Sequence, residues 1–87
     1  MKLFNVHIVE SGEELGVVAR TTDHAAEVFV TFRLARTGSA PGEFSIGRGA
    51  PVSYQDDIMV RHVAGGDVAG VLIRQPDGSL LFDAAIC

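Results

Sequence analysis

Alternation of apolar and polar residues is clearest at the start of the chain. In KLFNVHIVE the side chains fall alternately on the two sides of an extended chain, Phe4, Val6 and Ile8 against Asn5 and His7. Because alternation with a period of two is typical of a half-buried strand, we predict a strand over residues 2–10. The short polar connection SGEE separates it from a second β-branched segment, 15–21, and we expect these two strands to form a hairpin.

The stretch DHAAEVFVTFRLARTG, residues 23–38, fits two structures. Its middle alternates and is rich in Val, Phe and Thr, which favours a strand. Its ends favour a helix, because Thr22 or Asp23 can cap the first turn and Gly38 suits a left-handed C-cap. The order of charges also matches the helix dipole, with acids early and arginines late. Since start, stop and charge order agree, we predict a helix over residues 23–36.

Glycine and proline divide the rest of the chain into short segments. The segment EFSI, between TGSAPGE and GRGAP, is predicted as an edge or pairing strand, and VSYQDD as an irregular loop. The remainder is predicted as a three-stranded meander with turns at AGGD and PDG and strands at 58–63, 68–75 and 79–86.

Together these elements predict an α+β fold in a single domain, residues 1–87. A small, mostly antiparallel sheet, made of an N-terminal hairpin and a C-terminal three-stranded meander, packs against one helix in the order β-β-α-β-β-β-β. A chain of 87 residues is too short for two separate cores.

Composition adds an expectation about partners. Hydrophobic residues make up 47% of the chain and charged residues 21%, while a domain of this size buries only about 60–65% of the surface of its unfolded chain. Apolar surface is therefore expected to remain outside, and exposed apolar patches usually mark a contact with another protein. We expect a homodimer or another protein partner, through a sheet edge or the second apolar flank of the helix, with the candidate interface residues Val30, Leu34, Phe44 and Ile46.

Charge and terminal sequences exclude several other classes. The net charge is −4 and no basic run occurs, so direct nucleic-acid binding is not expected. The apolar run at the start of the chain is too short and too often interrupted by polar residues for a signal peptide or a membrane span. No membrane association is therefore expected. The single cysteine, Cys87, cannot form an internal disulfide. These features predict a cytoplasmic protein.

Catalytic and metal-binding signals are weak. His7, His24 and His62 lack the close spacing of zinc ligands, so no metal and no cofactor are expected. No nucleophile elbow is present, and the adjacent acids Asp56 and Asp57 would point to opposite faces of an extended chain. We therefore expect a non-enzymatic interaction or accessory protein. The alternative is a small-molecule-binding module or minor enzyme that uses a loop crevice within residues 48–62, with a pocket formed by Arg48, Ser53, Tyr54, Asp56 and His62.

Overall fold

The computed structural model describes residues 1–39, 41–49, 54–66 and 68–84. It contains one sheet of five strands and two helices, so the predicted α+β class is confirmed. The elements in chain order are β1 Lys2–Ile8, β2 Glu14–Ala19, α1 Thr22–Thr37, β3 Phe44–Arg48, α2 Tyr54–Ala64, β4 Gly70–Arg74 and β5 Leu80–Ala84.

The strand order in the sheet is β3-β1-β2-β4-β5, and every neighbouring pair is antiparallel. The predicted N-terminal hairpin is β1–β2, with Phe4 opposite Val17. The segment EFSI is confirmed as an edge strand, because β3 pairs only with β1 among the described strands. Strand β1 is paired on both sides and therefore does not supply a free edge.

Helix α1 confirms the prediction for residues 23–36. Its N-cap is Thr21, one residue before Thr22 and two before Asp23, the predicted caps. The Thr21 hydroxyl accepts a hydrogen bond from the backbone N–H of His24 at 3.1 Å. Gly38 ends the helix with φ 73°, and its N–H donates to the carbonyl of Leu34 at 2.9 Å. A left-handed residue that closes the last turn is the geometry for which glycine is preferred.

Helix α2 is the main departure from the sequence prediction. Residues 58–63 were predicted as the first strand of a meander, and they form part of a helix, so the C-terminal meander is a two-stranded hairpin, β4–β5. Half-buried or buried residues of α2 recur at intervals of three and four, which is the helical period, and they include Asp56, Met59, Val60 and Val63. Ile58, which the strand pattern placed with Val60, is 51% exposed.

The two helices lie on opposite faces of the sheet. Helix α1 covers the face that carries the main core, where Phe29 meets the ring of Phe44 edge to face at 4.8 Å. The sheet residues of this core are Phe4, Val6, Ile8, Val17, Ala19 and Val71. Helix α2 covers the other face, where alternation places the buried Val18 and Leu72. Full burial of a valine or leucine contributes about 1.5–3 kcal/mol, so both faces contribute to stability.

Some large apolar side chains stay outside this core. Five are about half exposed and lie on different parts of the fold: Val9, Leu34, Ile58, Val68 and Leu81. Within the described ranges, neither helix is long and apolar enough to cross a membrane.

Candidate functional site

A groove of about 380 Å³ lies between α2 and the sheet face that α2 covers. Its apolar lining comes from both layers and includes Leu3, Val60, Leu72 and Leu80. Its polar lining includes Asn5, Glu14, Arg48, Asp56 and Arg74. Grooves of this size with an apolar floor and a few polar groups are typical of small-molecule sites.

An ion pair between Asp56 and Arg74 joins the two walls of the groove. Nη1 of Arg74 donates to Oδ1 of Asp56 at 3.1 Å, and Nη2 donates to Oδ2 at 2.6 Å. Nη1 also donates to the carbonyl of Gly78 at 2.7 Å, which ties the same guanidinium to the β4–β5 turn. The side chain of Asp56 is only 8% exposed and that of Arg74 is 46% exposed. Hydrogen bonds from Arg74 to this carboxylate raise the pKa of Arg74, against a smaller effect of burial, so the guanidinium remains charged.

The structure brings together part of the pocket predicted from the sequence. Arg48 and Asp56 both line the groove. His62 is exposed on α2 and is not part of the lining, because the segment that contains it is a helix and not the predicted strand. Ser53 and the side chain of Tyr54 lie outside the described residues. The expectation that VSYQDD is an irregular loop is wrong at Asp56 and Asp57, because both lie in the first turn of α2, where Asp56 is buried.

Sequence reasoning missed Arg74 and the polar sheet residues Asn5 and Glu14. Arg74 stands 18 positions after Asp56, at the end of an apolar strand, and no local motif links the two. The sequence signals for the pairing of Asp56 with Arg74 are limited to an acid before an apolar segment and an arginine at the end of a strand.

A second candidate surface is the edge of β5, which pairs only with β4 among the described strands. The turn at Pro76 and Asp77 forms as predicted, with Gly78 at φ 91°, and the N–H of Gln75 donates to the carbonyl of Ser79 at 2.8 Å. Hydrogen-bonded and non-hydrogen-bonded pairs alternate along an antiparallel ladder. Counting from the bonded pair Gln75–Ser79, the backbone groups of 81 and 83 face β4. The outward N–H and C=O groups are therefore those of Leu80, Phe82 and Ala84.

The side chains of β5 leave this edge unprotected. The strand has the sequence LLFDA, with Asp83 as its one charged residue and without the Lys or Pro that most often blocks an edge. Leu81 is 51% exposed. Beside this strand, on the α1 side, lies a groove of about 240 Å³, lined by residues that include Val28, Phe32, Ala35, Val71 and Asp83. We call this the α1–β5 groove.

The interface residues predicted from the sequence lie away from β5. Val30 is half-buried and Leu34 is 45% exposed on α1. Phe44 and Ile46, on edge strand β3, are partly buried against the main core. Their role in a contact with another chain stays a prediction.

Several other titratable groups have local partners. Nδ1 of His7 lies 3.6 Å from the carboxylate of Glu14, and Nδ1 of His24 accepts from the N–H of Arg20 at 3.2 Å. Asp57 pairs with Arg61 at 2.9 Å. Within the part of the chain that the structure describes, no three His, Cys, Asp or Glu residues come close enough to hold a metal ion.

Comparisons with models of protein families, with curated protein sequences and with solved structures found no match for this chain. The argument about function therefore rests on the geometry of the groove and of the β5 edge.

Proposed function

We propose that this protein is a small non-enzymatic interaction protein that self-associates by pairing the β5 edges of two copies. The observation that carries the proposal is the mostly apolar edge of β5, which has no second neighbour among the described strands and whose one charged side chain is Asp83. Addition of a strand to such an edge is a common mode of protein recognition, because main-chain hydrogen bonds supply affinity without new secondary structure. Closed two-fold pairing is the commonest arrangement in homo-oligomers.

One pairing register lets the outward backbone groups form hydrogen bonds and also keeps the two Asp83 carboxylates apart. Pairing that is antiparallel and centred on Phe82 places Phe82 opposite its own copy and Leu80 opposite Ala84, so all three outward residues form hydrogen bonds. The neighbouring register, centred on Asp83, would place two carboxylates opposite each other, which is destabilising. In the register centred on Phe82, each Asp83 instead faces Leu81 of the second copy.

The α1–β5 groove supports the same arrangement. Alternation places Leu81 and Asp83 on the α1 side of the sheet, together with Val71. Leu81 of the second copy therefore lies beside Asp83, at the groove whose apolar wall is Phe32 and Ala35. Pairing would cover two of the exposed apolar features, Leu81 and this groove, in one step.

The other free edge is less suited to pairing. Strand β3 contains Gly47 and Arg48, and glycine and charge both weaken or block strand addition. The flank of α1 around Leu34 lacks any comparable row of backbone donors.

The acidic net charge supports a protein partner rather than a nucleic acid. A cytoplasmic location is part of the proposal.

The experiment is sedimentation velocity over a range of concentrations with matched edge variants. A short strand contact buries less area than a standard interface, so we expect a transient dimer with a Kd on the order of 10–100 μM. Ala84→Pro removes an outward N–H and should abolish the dimer, while Ala84→Ser keeps that N–H and should preserve it. Leu81→Lys should abolish dimerisation, and Ser45→Lys on β3 should not. A strict monomer at millimolar concentration, or a dimer that survives both Ala84→Pro and Leu81→Lys, would overturn the proposal.

A further inference from the structure

Arg74 lines the groove between α2 and the sheet, and its guanidinium has a pair of donors that make no bond to the described residues. An arginine side chain has five N–H groups in one plane. Three hydrogen bonds are made, from Nη1 to Asp56 and to Gly78 and from Nη2 to Asp56. The N–H groups that remain, on Nε and on Nη2, lie parallel on the same edge of the plane. Among the described residues, no acceptor bonds to them.

These two donors are held in place before any ligand arrives. The carboxylate of Asp56 fixes the end of the guanidinium through two bonds, and the carbonyl of Gly78 fixes a third N–H. Binding to this edge would therefore not have to order a flexible side chain, which is a large part of the cost of many polar contacts. The side chain remains 46% exposed, so a small molecule can reach it.

We propose that this groove binds a small monocarboxylate with an apolar body, whose two oxygens accept from Nε and Nη2 of Arg74. A parallel pair of N–H donors matches the spacing of a carboxylate, and such two-point contacts are the strong ones in proteins. Beyond the guanidinium, the apolar body has Leu72, Leu80 and Val60 to lie on.

The charges of the lining select against more highly charged ligands. Asp56 already neutralises Arg74, and Glu14 adds a second carboxylate to the lining. Arg48 contributes the other positive charge. The lining thus has two acidic and two basic residues. We expect it to accept a ligand with one negative charge more readily than a phosphate dianion, because the second charge of the dianion would be repelled by Glu14 and would have no cation to pair with.

The test is a titration of the ¹⁵N-labelled protein with hexanoate, followed at the Nε–H of Arg74 and at the amides of Asn5 and Leu72. Hexanamide is the uncharged control with the same body, and inorganic phosphate is the competing anion. The titration is carried out on wild type and on Ala84→Pro, so that self-association does not affect the result. We expect a saturable shift with hexanoate, at a Kd on the order of 1 mM, and none with hexanamide.

Three variants locate the binding. Arg74→Lys keeps the charge but loses the paired donors, and Val60→Phe fills the groove while leaving the contact between Arg74 and Asp56. Each should weaken hexanoate binding about tenfold or more. Arg61→Lys, exposed on the same helix, should have no effect. If Arg74→Lys does not fold, Val60→Phe decides. The proposal is wrong if hexanoate gives no saturable shift, if hexanamide or phosphate binds equally well, or if Val60→Phe binds as wild type does.

Discussion

The carboxylate of Asp56 binds both terminal nitrogens of Arg74, at 3.1 and 2.6 Å, and so joins α2 to β4 across 18 positions of the chain. Helix α2 covers its face of the sheet with half-buried side chains, whereas α1 buries Ala25, Val28 and Phe29 completely. The contact with Arg74 is thus a specific link between a partly covered helix and the sheet.

The first prediction concerns the removal of this link. Asp56→Asn replaces one acceptor by an N–H₂ group that faces the donors of Arg74, in a position that is almost closed to water. A buried polar group without a matching partner is costly. We expect the melting temperature to fall by on the order of 5 °C, measured by thermal denaturation.

The matched control is Asp57→Asn. Asp57 occupies the same first turn of α2, but it pairs with Arg61, whose side chain is 79% exposed. Both substitutions remove a charge near the helix N-terminus, so the effect of the helix dipole largely cancels in the comparison. A surface pair of this kind contributes about 0.3–0.5 kcal/mol. Equal losses for the two variants would mean that the contact of Asp56 with Arg74 has no special importance.

The second prediction concerns the packing of Phe82 on Gly70. A Cβ atom at Gly70 would lie 2.7 Å from two atoms of the Phe82 ring and would also collide with the carbonyl oxygen of Asp83. Gly70→Ala must therefore displace the ring or the strand, at a cost of about 1–3 kcal/mol. Chemical denaturation measures this cost.

Gly47→Ala is the control for this substitution. Gly47 lies in edge strand β3, and a Cβ there would have no described atom within 4 Å. Alanine at such a position should stabilise the protein by about 0.4–1 kcal/mol, because it restricts the unfolded chain. If both alanine variants had the same stability, the close approach of Phe82 to Gly70 would be contradicted.

The third prediction concerns Asp77 in the β4–β5 turn. The hydroxyl of Ser79 donates to its carboxylate at 2.7 Å and the N–H of Ser79 donates at 3.0 Å, and these bonds lower the pKa of Asp77 below its usual 3.8. Because the folded pKa is the lower one, the stability due to this carboxylate is complete above about pH 3.8. It is lost as the pH falls through the folded value.

An NMR titration of the Asp77 carboxyl carbon tests this. Ser79→Ala should raise the pKa of Asp77 toward its usual value, because the hydroxyl is the largest cause of the shift. Ser79→Thr, which keeps a hydroxyl, should leave the pKa low. A pKa that is the same in Ser79→Ala and in wild type would show that the hydroxyl does not stabilise the carboxylate.

Local sequence signals were sufficient for α1 and for most of the sheet. Thr21 and Gly38 hold the two ends of α1, and both act within four residues of the groups they cap. The alternation of Phe4, Val6 and Ile8 survives because one face of β1 meets α1. Such patterns depend on neighbours along the chain, which is why they can be predicted from it.

Helix α2 carries the same kinds of signal, but the sequence predicts a strand at residues 58–63 and an irregular loop at VSYQDD before it. It has acids in its first turn and Arg61 and His62 in its last turn, as the helix dipole favours. The short apolar run IMVRHV also fits alternation, and a run of six residues does not distinguish the two periods. The burial of the side chains distinguishes the two structures, because the helix buries Asp56 against the sheet and leaves Ile58 exposed.

The candidate sites depend on tertiary geometry that no local pattern specifies. Arg48 and Asp56 are expected in one pocket from the sequence. Arg74, which bonds to Asp56, comes from β4, and β4 lies on the opposite side of the β1–β2 hairpin from β3, which carries Arg48. Likewise, β5 is an edge only because the strand order is β3-β1-β2-β4-β5.

The most direct test of self-association is amide hydrogen exchange along β5 at two protein concentrations. The N–H groups of Leu81 and Asp83 bond to β4 within one copy, so their exchange should be slow at both concentrations. The N–H groups of Leu80, Phe82 and Ala84 point outward, so they should exchange fast when dilute and become protected on concentration. Fast exchange at these three amides at every concentration would contradict the proposed pairing.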